Sequence, residues 1–453
     1  MLRPTAISRR TFSLALAVLL ALPAAARTRP HYGGTLHVEV EGDPWQRPGG
    51  LARALVLDAL TTIGPDGTAQ PALAVEWKAE NDDHHWQFRL RAGVHFHDGT
   101  PLTSANVVAS LTAVCGAACP WTAVHAVGPL VIFTSDTPLP TLPELLADDS
   151  YRIALANPET APSAPIGTGA FQFASLANGI LTLTANENCW QGRPFADSVE
   201  IRAHRAIRDQ WLDLTVGRAD LVEVPAEQIR QAQAQRLNVL ASPPDSFLAI
   251  TVSDSASLAN PNLRAAIALA IDRGALSNVI FQKQGEITAS LLPARLTGYA
   301  FLFPADRDLN RAHGLRGGAG ATAITLAADP TPILQLAAQR IALNLRDAGF
   351  TVKTIPASAP QHADLTLRTL SFESNQPLPA LDALLRQAGL AVPLLDNSPA
   401  GLYKIEREIL DTHMIIPLLY LPRAFAVSGR LRDLRLSADG SPLLANASLE
   451  DAP

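Results

Sequence analysis

Residues 93–111 read GVHFHDGTPLTSANVVASL, and how this run is understood decides the fold. Val94 and Phe96 put apolar groups on one face of an extended segment, and His95 and His97 take the other face. Asp98-Gly99 fits a tight turn, because glycine tolerates positive φ. Pro101 fixes the exit. Thr103 stands where an N-cap belongs, since its hydroxyl can accept an otherwise unpaired helix N–H. Val107, Val108 and Leu111 then supply a buried helical face. The run therefore predicts a strand–turn–helix corner. His84, His85, His95 and His97 crowd into this region, and imidazoles at i, i+2 could share a metal. Scaffold is the simpler reading, with contact to a ligand or metal kept as the alternative.

Working upstream, Trp86, Phe88 and Leu90 alternate with Gln87, Arg89 and Arg91, which predicts a strand paired with VEWKA. GGTLHVEV (33–40) is a second strand, LARALVLDALTTI (51–63) has helical spacing, and GPDG (64–67) is a turn. Downstream, LVIFT and RIALAN read as strands and LPELLA as a helix. PIGTGAFQF (165–173) reads as a proline-and-glycine hinge at Gly167, Thr168 and Gly169 that feeds a strand. A phosphate cradle there is disfavoured, because the lysine is missing and no helix follows. Further strands are expected at ILTLTANENCW, VEIRAH and FLAITVS. RDQWLDLTVGR predicts a helix ending at Gly217. NPNLRAAIALAIDRGALSNVIF reads as a helical pair, with Asp272 capping the second member. Residues 297–323 read as loop. Strand, helix and strand then return through 323–355, with Gly349 closing the helix. After two more helices, MIIPLLYLPRAFAVS (414–428) ends the pattern with two strand-like runs. Alternating strands and helices imply α/β layers.

The chain has 453 residues, 47% of them hydrophobic, which is enough for two or three domains. Its formal net charge is −6 and it has no Lys/Arg run, so a nucleic-acid partner is not expected. Arg9 and Arg10 stand before an apolar run from Phe12 to Leu22, and Ala24 to Ala26 offer a small-residue cleavage site. Ser8-Arg9-Arg10-Thr11-Phe12 resembles a twin-arginine export signal, with an ordinary secretory signal as the alternative. The mature chain is thus expected to be soluble and periplasmic, cut near Ala26. No cysteine stands directly after that point, so no lipid anchor is expected there. In an oxidising compartment Cys115 and Cys119 could form a disulfide. A helical i, i+4 pair has poor geometry for one, however, and the question stays open. With Cys189, the three thiols make no zinc pattern. Neither G-x-S-x-G nor H-E-x-x-H occurs, which lowers the odds of a hydrolase.

LRAGVHFHDGTPLTSANVVASL, GGTLHVEV, PALAVEWK, PIGTGAFQF, NENCWQGRPFADSVEIR, GRADLVE, NLRAAIALAIDRGAL and EREILDTHMIIPLLY together resemble a known family. They are similar, in order, to the extracytoplasmic solute-binding proteins of peptide/nickel ABC importers, the oligopeptide- and dipeptide-binding class. The resemblance implies an α/β, two-lobed periplasmic binding protein of type II, with three domains, a discontinuous first lobe and mixed sheets flanked by helices. It implies an export signal at 1–26 and a lobe I core from 27–50, 165–247 and 417–453. The accessory domain would span 51–164, and lobe II 248–416. The implied function is capture of a peptide or related small solute between the lobes and delivery to the permease subunits of an ABC transporter. The implied receptor is a monomer that carries no cofactor and catalyses nothing.

Family members commonly carry an aromatic-rich loop whose aspartate pairs with a peptide's amino group. Here LRTLSFESNQPLPAL takes that place, with Glu373 near the aspartate's position and Arg368 and Phe372 beside it. The tryptophan of that loop is missing, so a ligand other than a peptide stays open. Asp43 and Trp45, in the loop after the first strand, are further cleft candidates, because ligands of open α/β sheets bind outside the carboxyl ends of strands. Trp190 and Trp211 are assigned to the core. A metal-chelate or haem receptor of the same fold is the first alternative, and an exported hydrolase the second.

Overall fold

A computed structural model describes residues 31–45, 50–64, 67–115, 119–156, 164–317, 322–356, 363–391, 397–437 and 440–450, apart from the side chain of Cys115. The expected export signal lies outside these residues. Strand β1 (Thr35–Glu39) is followed by helix α1 (Leu51–Val56). A small unit then runs through β2 (Thr61–Ile63), β3 (Ala69–Pro71), β4 (Ala74–Glu80), β5 (His85–Leu90), α2 (Ser104–Cys115), β6 (Ala123–Val127) and β7 (Leu130–Thr134). Strands β8 (Phe171–Ala177), β9 (Ile180–Ala185) and β10 (Ser198–Arg202) come next, then α3 (Ile207–Thr215), β11 (Leu221–Glu223) and the long β12 (Asn238–Val252). Helix α4 (Pro261–Ala270), β13 (Glu286–Ile287), β14 (Ala323–Ala328), α5 (Pro332–Asp347), β15 (Thr351–Pro356), β16 (Leu365–Ser371), α6 (Pro377–Gln387) and α7 (Pro399–Asp411) follow. The 13-residue β17 (Ile415–Val427) comes next, and a short pair of Leu431–Arg432 with Ser448–Leu449 ends the series.

The main sheet has the order β15-β14-β16-β12-β17-β11-β1-β10-β9-β8. Its centre is the antiparallel pair of β12 and β17, which serves both lobes. Asn238–Ala241 pair with Ala424–Val427 beside β11 and β1, and Ser246–Thr251 pair with Ile415–Leu421 beside β16. The two strand-like runs expected after residue 414 are thus one strand. Five apolar clusters form among the described residues, one of which packs Leu214, Val222, Ile229 and Ala426. Leu36, Val38, Phe171, Leu183, Val199 and Phe425 form another, in the first lobe. Phe88, Phe133, Trp121 and Leu111 fill the small unit built on the four-stranded sheet β4-β5-β7-β6. In the second lobe the sheet is covered on both faces. Leu248, Ile250, Ile267, Leu326 and Ile341 lie on one side, and Phe247, Leu370, Phe372, Leu384 and Tyr420 on the other. Fully burying each such side chain contributes about 1.5–3 kcal/mol.

The opening corner folds from its own local rules. In β5, buried Trp86, Phe88 and Leu90 alternate with more exposed neighbours. Gly93, at φ +77°, ends the strand, so Val94 and Phe96 form a looser arm held by an isolated bridge between His95 and Pro101. Both apolar side chains are still buried. Gly99 takes φ +85°, and the Thr100 N–H donates to Asp98 Oδ1 at 2.9 Å. Thr103 Oγ1 accepts from the Asn106 N–H at 3.2 Å, and Asn106 Oδ1 accepts from the Thr103 N–H at 3.1 Å, a reciprocal cap on α2.

Several expectations change. Leu51–Leu57 pack with the first lobe's sheet, so the small unit's own interior starts at Leu60, not at residue 51. Leu418, Leu419 and Leu421 belong to the second lobe, so the return to the first comes at Pro422–Arg423, after residue 417. The segment read as loop holds a helix at Leu309–Arg316, started by Asp308, whose Oδ1 accepts from the Arg311 N–H. RIALAN keeps only one bridge, between Asp58 and Ile153.

Candidate ligand-binding cleft

Two strand passages join the lobes, and both are irregular at the crossing. The ladder between β12 and β17 shifts register between Ala241 and Pro244 and again between Pro244 and Ser246. Prolines 243, 244 and 422 have no N–H to give to a ladder, so backbone pairing is weakest where the chain changes lobe. Ser242 Oγ accepts from the Arg423 N–H at 3.0 Å. Gly440, at φ +76°, lies over this point, and a Cβ there would stand 3.0 Å from the Ser242 side chain.

Gly167, Thr168 and Gly169 lie elsewhere. A Cβ at Gly167 would sit 1.9 Å from the Val56 carbonyl oxygen, and one at Gly169 2.5 Å from that of Leu55. Thr168 is fully buried, and its Oγ1 donates to Asp58 Oδ2 at 2.8 Å. His97 Nδ1 faces the Gly167 N–H at 3.3 Å, and Nε2 faces the Gly169 carbonyl at 3.0 Å. The donor on one side and the acceptor on the other define a neutral ring with its proton on Nε2. The expected hinge is therefore corrected to a packed seam inside the first lobe. The glycines are there for close backbone approach, not for swing.

Beside the crossing, a cavity of about 1000 Å³ is walled by both lobes. Thr62 and Glu144 come from the small unit, Pro243 from the crossing, Arg295 and Asn375 from the second lobe, and Arg435 from the C-terminal segment. A smaller space of about 210 Å³ shares Thr62, Ile63, Asn375, Ser437 and Leu443 with it. Arg295 is held in place. Its Nε donates to the Pro244 carbonyl at 2.7 Å and its Nη1 to Asn375 Oδ1 at 3.2 Å, while its guanidinium stands 5.5 Å from the Phe372 ring centre. Arg435 is exposed and has no hydrogen bond or ion pair from its side chain among the described residues. Asn397 Oδ1 is buried without a partner among them. Glu144 Oε1 accepts from the Ala69 N–H at 3.3 Å.

The lobes approach each other near this cavity at Asp148 and Ser374. Asp148 is 8% exposed, starts the turn at Asp149–Tyr151 by accepting from the Ser150 N–H at 3.0 Å, and faces the Ser374 side chain of the second lobe. Burial raises its pKa, opposed by the Ser150 N–H and the Ser374 hydroxyl. Glu373 is raised first by burial, lowered by Arg386, and raised again by Asp148 across the gap and by Asp382.

The expected site residues scatter. Glu373, at φ +55°, accepts from Gln387 Nε2 at 3.0 Å and sits at the lobe contact. Phe372 is buried beneath Arg295. Arg368 lines a separate pocket on the second lobe with Thr251 and Arg386, and its Nη1 donates to the Gln387 carbonyl at 3.1 Å, at the end of α6. Asp43 is exposed and accepts from the Trp45 N–H, and Trp45 packs on the first lobe's interior. Neither Asp43 nor Trp45 lines the two interlobe spaces. Arg295, Arg435, Glu144 and Asn375 were missed, since lone polar residues in loops and single-turn helices carry no periodic signal.

The histidines disperse too. His84 Nδ1 meets the Ser135 carbonyl, His85 lies 3.7 Å from Glu80, and His95 meets the Gly93 carbonyl. Among the described residues, no group of three His, Cys, Asp or Glu side chains could hold a metal. Cys119 is disulfide-bonded, and Cys189 is free and buried. Trp190 Nε1 donates to Asp58 Oδ2 at 2.7 Å, against the small unit's interior.

A cavity closed between two α/β lobes that share two crossing strands defines a two-lobed solute-binding protein. The chain belongs to the bacterial extracellular solute-binding proteins, family 5, whose sequence model matches residues 68–388. "Uncharacterized protein YhjP" of Bacillus subtilis is 34% identical over 156 residues, 32% of this chain and 26% of that protein. "Probable di/tripeptide-binding protein 5" of Pseudomonas aeruginosa is 25% identical over 398 residues, covering 75% of this chain and 74% of its own. The oligopeptide-binding protein AppA of Bacillus subtilis, solved with a nonapeptide, superposes with a TM-score of 0.77 at 18% identity. That match covers 93% of this chain and all of AppA. Among the described residues, no helix is long and apolar enough to cross a membrane.

Proposed function

We propose that this chain is the periplasmic receptor of an ABC importer, and that it captures a peptide or related small zwitterion between its lobes and delivers it to a membrane permease. The observation that carries this reading is the cavity of about 1000 Å³ at the crossing, with an unpartnered Arg435 and a positioned Arg295 on its wall. Its size lies at the upper end of the ~300–1000 Å³ usual for small-molecule sites. A ligand carboxylate would meet the two guanidiniums, which come from different lobes. An ammonium group would be met by Glu144. Asn375, Gln376 and Asn397 supply amide groups of the kind that read a peptide backbone. A ligand held from both sides is bound fully only when the lobes are shut, so binding favours that population.

The Pseudomonas relative, named for di- and tripeptides, supports a short peptide as the guest. The reading also takes Ser8–Phe12 as a twin-arginine signal and the mature receptor as a monomer without catalytic activity. Two experiments test it. A mixed pool of di- and tripeptides is offered to the mature protein and the bound species are read by native mass spectrometry. Retention of none at millimolar concentration rejects the peptide reading. Calorimetry with a retained peptide then compares Arg435→Ala, where loss of one charge-assisted contact (~1.5–3 kcal/mol) predicts a roughly 10–100-fold weaker Kd.

A further inference from the structure

A further cavity, of about 260 Å³, lies in the second lobe and shares no wall residue with the interlobe spaces. It opens between α4, the loop from Phe303 to Asp306, and the start of β17. Ile415 and Ile416 pair there with Thr251 and Ile250, at the end of the sheet remote from the crossing. Ala268, Leu269, Phe303 and Ile415 make it largely apolar.

One side chain does not fit a plain packing defect. Arg273 lines this cavity and is only 6% exposed. Its Nε donates to the Pro417 carbonyl at 2.8 Å, and its Nη1 to the carbonyls of Ala305 at 3.1 Å and Ala268 at 3.5 Å. Nη2 has no partner among the described residues, and no carboxylate there pairs with the guanidinium. Asp306 is near enough to favour the charge without bonding to it. Burial pulls the guanidinium down to about 10. A buried cation without a counter-ion is costly, and the N–H groups of Nη2 remain to donate charge-assisted hydrogen bonds to a carboxylate.

We propose that this cavity is a second binding site, for a small monocarboxylate with a hydrocarbon body, whose carboxylate meets Arg273 while its body lies against Ala268, Leu269, Phe303 and Ile415. The size suits one ring or a short branched chain, since an apolar space of about 150 Å³ already accepts benzene. Asp306 and Asp411 on the wall disfavour anions of higher charge, such as phosphate. Arg311 and His413 complete the charged groups there. His413 is kept towards neutral by burial and by Arg264 and Arg311, and it adds no fixed positive charge.

Benzoate is the probe. Titrated into the mature protein, it is expected to bind with a stoichiometry of one and raise Tm. Neutral benzamide, of the same shape, is expected to bind at least about tenfold more weakly, the effect of losing one charged contact. Arg273→Gln removes the charge but also weakens the hold on β17, so a second variant decides. Ala268→Phe fills the space while keeping the Arg273 charge and its bond to the Pro417 carbonyl, and benzoate binding is expected to vanish while the circular dichroism spectrum and peptide capture in the cleft persist. Arg435→Ala is expected to leave benzoate binding intact, which separates this site from the interlobe one. The proposal is overturned if benzoate does not bind at millimolar concentration, if benzamide or phosphate binds equally well, if Ala268→Phe still binds benzoate, or if Arg435→Ala abolishes binding.

Discussion

Glu406 is a carboxyl whose chemistry departs far from that of its surface analogues. It is fully buried in α7, its Oε2 accepts from the Leu291 N–H at 2.8 Å, and its Oε1 has no partner among the described residues. Burial pushes its pKa to about 7, against 4.5 for a free side chain. A carboxyl raised in the native state keeps its full contribution below about pH 4.5, and that contribution is lost as pH rises through about 7. The shift corresponds to about 3 kcal/mol. Glu406→Gln is therefore expected to flatten the decline in stability between mildly acidic and neutral pH, as read by urea unfolding at several pH values. An unchanged pH profile would show that Glu406 is ionised at no cost. His97 has the opposite sign. Burial lowers its pKa below 6.5, so its contribution is whole above that value and falls as acid forces a proton onto Nδ1. That proton would displace the Gly167 N–H.

At the scale of elements, the seam and the cap make different demands. The Cβ of Gly167→Ala would lie 1.9 Å from a backbone oxygen, which α1 cannot yield without leaving the first lobe's interior. Loss of several kcal/mol, or failure to fold, is expected, and thermal unfolding will show it. Thr103→Ala removes one cap acceptor from α2 and is expected to cost only about 1 kcal/mol. The cap was legible in the sequence because it depends on neighbours a few residues away, as were Gly349 and the alternation in β5. The seam was misread because PIGTG carries the composition of a flexible link. What stiffens it, α1 and His97, comes from about 110 and 70 positions upstream.

For the whole molecule, the contact between Asp148 and Ser374, with Glu373 close by, is expected to make lobe closure depend on pH. Both acids are raised, so the contact is intact in acid and weakens as pH rises and two like charges face each other. The ligand-free radius of gyration, measured by X-ray scattering, is expected to grow from acidic to neutral pH, and to grow less in Asp148→Asn. Equal curves for the two proteins would remove this contact from the closing equilibrium. A captured peptide is expected to shrink the radius at every pH, because under the proposed function it would bridge Arg295 and Arg435, which line the same cavity.

The sequence by itself determined the α/β layering, the strand–turn–helix corner at 93–111 and, through motifs spread along the chain, the family. These follow from apolar period, turn residues and caps, all of which act over a few neighbours. It could not place β12 and β17 as the shared crossing, since both read as ordinary apolar strands until they pair across about 170 residues. Nor could it choose among scattered polar residues for the cleft. Arg295 and Arg435 share one cavity only because the chain returns to the first lobe after Pro422, and burial, charge and reach at that point are properties of the assembled lobes.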